Sequence, residues 1–101
     1  MDPFKPYEPK SRPVVLRLTR PDAEALALKA IAFVVGDDTL LSRFLALTGC
    51  GVDDLRTRLG DPSFLGAVLD FVQGDEGTAA TFAQAEGLAP ETLTQARGLL
   101  P

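Results

Sequence analysis

The sequence predicts an all-α protein: a compact six-helix bundle built from two similar three-helix halves, preceded by an extended, proline-rich N-terminal arm. Three observations carry this. Beyond Thr19 the apolar residues recur at helical spacing, and no run alternates with the period of a strand. Glycines and capping residues divide that stretch into six segments. The last part of the chain also repeats the pattern of the middle after a shift of 38 residues.

The arm covers residues 1–18. Pro3, Pro6, Pro9 and Pro13 forbid regular helix there and favour extended backbone. Residues 19–101 then form a single helical domain. Thr19 and Asp22 have the spacing of a capping box, with Pro21 in the first turn. From Ala25 to Val35 the run is apolar nearly all round, broken only by Lys29, which predicts a central helix buried on every side. Gly36 ends it, in a position that tolerates positive φ. Asp37 caps a second helix that runs to Thr48 and stops at Gly49. A short third helix spans Val52 to Leu59, closed by Gly60. Asp61 and Pro62 open the fourth, SFLGAVLDFVQ, which ends at Gly74. Asp75 caps the fifth, which stops at Gly87, and Pro90 opens a sixth that reaches about Leu99.

Laying residues 26–60 over residues 64–98 gives eight identities without a gap. Phe33, Val34, Gly36 and Asp37 fall on Phe71, Val72, Gly74 and Asp75; Phe44, Gly49, Leu55 and Gly60 fall on Phe82, Gly87, Leu93 and Gly98. Two copies of one three-helix unit account for this register, with their first helices packed together at the centre.

Composition excludes several kinds of chemistry. With no histidine and a single cysteine, Cys50, the chain can build neither a His/Cys zinc site nor a Ser-His-Asp or Cys-His catalytic set. There is no Walker loop and no GxGxxG before a helix. No cofactor and no enzymatic activity are therefore expected. The N-terminus lacks the apolar core of a signal peptide and no segment is long enough to span a bilayer, so the expected place is the cytoplasm, away from membranes.

The acids pair at Asp37-Asp38, Asp53-Asp54 and Asp75-Glu76, each pair at the start of an expected helix. There a carboxylate accepts backbone N–H groups and meets the positive end of the helix dipole, which explains the pairs as caps. Cys50 with Leu55, and Leu88 with Leu93, have the spacing of a hydrophobic staple. Asp70 is expected on the solvent face of the fourth helix.

The stretch FAQAEGLAPETLTQA has the small residue, glycine and anchoring leucine of a helix-turn-helix, at Ala83, Gly87 and Leu93. Its second helix offers Thr94, Gln95 and Arg97 to a groove, but also Glu91, within a region (61–101) of net charge −5. The same glycine-to-leucine spacing recurs at Gly49 and Leu55, so a packing corner explains the pattern better than DNA readout. Residues 1–20 carry a net charge of +3 through Lys5, Lys10, Arg12, Arg17 and Arg20, an arm suited to docking on a partner.

The block GDDTLLSRFLALTGCGVDDLRTRLGDPSFLGAVLDFVQGDE, followed by FAQAEGLAPETLTQAR, resembles the DUF3572 family, small bacterial all-helical proteins of unknown function. The resemblance spans residues 21–100, and its most specific pieces are RFLALTG and DPSFLGAVLDFV followed by DE. It implies a helical cytoplasmic protein and assigns no activity, so no functional residue is carried over. The resulting expectation is a non-catalytic protein-interaction or regulatory module with a protein partner, and a homodimer is compatible with it. The alternative is a nucleic-acid-associated regulator using the corner at 82–97 and the basic arm.

Overall fold

The computed structural model describes residues 18–101. Its six helices are α1 (Arg20–Val35), α2 (Asp38–Thr48), α3 (Val52–Arg58), α4 (Pro62–Gln73), α5 (Glu76–Glu86) and α6 (Pro90–Gly98). Arm residues Lys5, Lys10, Arg12 and Arg17 lie outside the described residues. Among the described residues there is no strand, and no helix is long and apolar enough to cross a membrane.

The helix starts follow from local chemistry. Thr19 Oγ1 accepts from the Asp22 N–H at 3.3 Å, and Asp22 Oδ2 accepts from the Thr19 N–H at 3.0 Å, closing the capping box of α1. Asp37 Oδ1 accepts from the N–H groups of Thr39 and Leu40, Asp61 from Ser63, and Asp75 from Thr78. In α3 the cap is Gly51, and Asp54 reaches back to accept its N–H at 3.0 Å. Cys50 and Leu55 are both buried beneath that turn. The third and sixth helices stop at Arg58 and Gly98, each one residue short of the end the sequence suggests.

The helix ends differ from expectation at one pair of glycines. Gly36 and Gly74 have φ of −74° and −69°, ordinary right-handed values, not the positive φ expected of Gly36. The chain swings directly into Asp37 or Asp75, whose extended backbone makes the corner instead. Among the glycines, positive φ is confined to Gly49 (73°) and Gly87 (68°), which end α2 and α5. Positions 38 apart thus share the same backbone geometry at both kinds of corner.

In the core α1 packs on α4 more extensively than any other helix pair. Ala23, Ala27, Ala30 and Val34 of α1 and Val68, Leu69 and Val72 of α4 are fully buried. Full burial of a Val or Leu side chain contributes about 1.5–3 kcal/mol. Phenylalanines join the helices around this pair. Phe33 of α1 meets Phe82 of α5 with ring centres 5.3 Å apart, and Phe71 of α4 meets Phe44 of α2 at 5.2 Å. A shift of 38 residues converts one ring pair into the other.

The central helix is α4, and the expectation of an α1 buried on every side is corrected. In α4 only Ser63 and Asp70 are exposed, whereas α1 buries a single stripe: Ala23, Leu26, Ala27, Ala30, Ile31 and Val34. The cause is the placement of the third and sixth helices. α6 packs on α4, α5 and α1 together, over part of the outer face of α4. α3 is short and does not lie along α1; its Arg58 guanidinium stands over the Phe64 ring of α4, 5.9 Å from the centroid. The outer face of α1 is left uncovered by the other described residues.

Candidate interaction surface

One carboxylate of each acidic pair is taken up by the backbone. Asp37, Asp54, Asp61 and Asp75 cap helices, and among the described residues no group of three or more His, Cys, Asp or Glu could hold a metal ion. Asp75 Oδ2 also accepts from the Thr78 hydroxyl at 2.6 Å. That bond, then the Thr78 N–H and the nearby charge of Arg43, hold the Asp75 carboxyl below the usual range. Asp22 is lowered in the same way, first by the Thr19 N–H and then by its hydroxyl. Asp37 and Asp75 line one shallow depression of about 360 Å³ between the starts of α2 and α5, with their cap bonds already made.

The helix-turn-helix candidates are brought to α4. Arg97 Nε donates to Asp70 Oδ1 at 2.7 Å, while its Nη1 donates to the carbonyls of Leu100 and Pro101 at 3.0 and 3.1 Å. The bond to Asp70 raises the guanidinium pKa above its ordinary value. Thr94 Oγ1 accepts from Gln73 Nε2 at 3.1 Å. Of the three groups the sequence offers to a groove, only Gln95 stands exposed without a bond to α4. Asp70 is exposed as expected, but paired. Arg20, the one arm cation among the described residues, sits at the first position of α1, 3.7 Å from Glu24.

An open groove of about 600 Å³ runs between the end of α4 and helices α5 and α6, over Ala79, Pro90 and Leu93. Its polar groups include Glu76 and the Gln73 and Thr94 side chains that are already joined. Leu47 is exposed, but it shares a cleft with Arg43, Asp70 and Asp75. Val52 is exposed beside Asp53 at the start of α3.

The bare face of α1 is different in kind. Pro21, Ala25, Leu28, Ala32 and Val35 are all exposed, with Leu28 at 42% and Val35 at 46% of their full surface. Their spacing of four, three, four and three residues aligns them in one stripe, the repeat by which helices pack against other helices. No charged side chain interrupts it. Lys29 stands at its edge, 3.5 Å from Glu86 of α5.

Sequence reasoning missed this face by reading an unbroken apolar run as burial. The signal lay in the 38-residue shift. Ala25, Leu28, Ala32 and Val35 fall on Ser63, Gly66, Asp70 and Gln73, the α4 face whose Asp70 and Gln73 bond to Arg97 and Thr94 of α6. The same side of two helices related by this shift thus carries polar groups bonded to α6 in one and is apolar and exposed in the other.

The family described as "Protein of unknown function (DUF3572)" matches residues 20–101, every helix of the bundle. The chain belongs to this family. A search of curated proteins and of solved structures finds no match. The matched span begins at the first residue of α1 and leaves residues 1–19 outside.

Proposed function

We propose that this protein is a non-catalytic interaction module of the cytoplasm, and that it works through the outer face of α1. The observation that carries this reading is the uncharged stripe of Ala25, Leu28, Ala32 and Val35, left open along a helix whose opposite side builds the core. An apolar stripe along one face of a helix, free of charge, is the kind of surface on which a partner helix docks. The matching cap geometry at Gly36 and Gly74, and the crossed phenylalanine pairs, support reading the chain as two copies of one three-helix unit. On this reading one copy keeps its outer face for α6 and the other presents it. The corner at 82–97 serves packing, since Thr94 and Arg97 already bond to α4.

The test is a photo-crosslinking amino acid placed at Leu28, with a second at Gln95 as control, in cells expressing the full chain. A discrete crosslinked species at Leu28, absent at Gln95 and lost on adding Ala32→Glu, is expected. No crosslink at Leu28, or equal crosslinking at both positions, would overturn the proposal.

A further inference from the structure

We infer that the α1 face is covered by the same face of a second copy of this chain, with the two α1 helices antiparallel. This rests on the interaction reading above and names the partner. The argument begins with side-chain size. Along the stripe, small Ala25 and Ala32 alternate with the larger Leu28 and Val35. When the helix is laid antiparallel on itself, with the twofold axis midway between Leu28 and Ala32, Leu28 falls opposite the partner's Ala32. Val35 falls opposite the partner's Ala25. Each large side chain then meets a small one, the complementarity that lets two helices approach closely. A twofold contact of this kind closes on itself, so it ends at a dimer.

Charge agrees with the same arrangement. The group nearest the axis is Lys29, which would face its own copy across the dimer. It is already compensated by Glu86 at 3.5 Å, so the axis brings together two neutral pairs instead of two bare cations. On the opposite edge Glu24 is paired with Arg20. A parallel arrangement lacks the small-over-large register, because it sets Leu28 against Leu28 and Ala32 against Ala32.

Area sets the strength. The 16 residues of α1, at about 1.5 Å each, run about 24 Å, and a face about 10 Å wide presents roughly 240 Å². A standard interface buries about 800 Å² per partner. A dimer resting on this face alone is therefore a weak, reversible one.

Sedimentation equilibrium on the full chain, from about 20 μM to 1 mM, reads this directly. The expected result is a monomer at the low end and a growing dimer fraction at the high end. Leu28→Glu should weaken the dimer by at least about tenfold, as for a large residue at the middle of a contact. Ala32→Glu serves as a second variant, and circular dichroism checks that both stay folded. A half-labelled sample should show intermolecular nuclear Overhauser contacts from the Leu28 methyls to the partner's Ala32 methyl. A chain still monomeric at 1 mM overturns the inference, as does a dimer indifferent to both substitutions or one with Leu28-to-Leu28 contacts. If the chain stays monomeric while Leu28 crosslinks specifically to another protein, the inference fails and the interaction reading stands.

Discussion

Gly66 tests the packing of α6 on α4, because two effects of one substitution oppose each other there. In the interior of a helix, replacing glycine by alanine ordinarily stabilises by about 0.5–1 kcal/mol, through lost backbone entropy in the unfolded chain. At Gly66, however, an added Cβ would stand 2.8 Å from the Pro101 carbonyl oxygen and 3.0 Å from Arg97 Nη1. Side-chain carbons do not tolerate such approaches, so the C-terminal residues and the guanidinium must move. That movement strains the Arg97 bonds to Leu100, Pro101 and Asp70 together. Overpacking of this kind costs about 1–3 kcal/mol, which exceeds the propensity gain. Gly66→Ala is therefore expected to destabilise by about 1 kcal/mol, a fall in Tm of about 4–8 °C for a domain of this size. Gly98→Ala is the control, since a Cβ there meets nothing within 4 Å; it should be neutral or stabilising by up to about 1 kcal/mol. Thermal and urea unfolding followed by circular dichroism measure both. If Gly66→Ala proves as stabilising as Gly98→Ala, the close approach of α6 to α4 is wrong.

Further outcomes follow from the same contacts. Phe44→Ala and Phe82→Ala each remove a fully buried ring and should cost about 3–5 kcal/mol in urea unfolding; a loss below about 1 kcal/mol at either would contradict its burial. The lowered Asp22 and Asp75 carboxyls stabilise the folded state above their unfolded pKa, and this contribution is lost as pH falls through the lower folded values. Urea stability should accordingly decline on acidification through the carboxylate range. In Thr78→Val, an NMR titration should find the Asp75 pKa moved up toward its ordinary value, because the hydroxyl bond is the largest cause of the shift. An unchanged Asp75 titration would remove that bond from the account.

The helix boundaries were largely legible in the sequence because capping is local. Thr19, Asp37, Asp61 and Asp75 each bond to an N–H two or three residues away, so composition and spacing suffice to place them. The outer face of α1 was not legible from its own residues. Whether Leu28 and Val35 are covered depends on where α3 and α6 lie, and that is decided by distant packing. Only comparison with Gly66 and Gln73, 38 residues on, reveals a difference, and it reads as a difference in polarity before it can be read as exposure. Thr94 and Arg97 were visible as polar groups on the last helix, but their bonds to Gln73 and Asp70 cross more than twenty residues of chain. Spacing within the helix could not reveal them.

The crossed phenylalanines bear on how the chain acquires its structure. Phe82 of the last three helices completes the surroundings of Phe33 in the first three, and Phe44 of the first three completes those of Phe71 in the last three. Neither triplet therefore holds a finished core of its own. Folding should be cooperative, a single transition with no stable half-formed intermediate. A chain severed at Gly60 should give two pieces that remain unfolded apart and regain helix only when mixed.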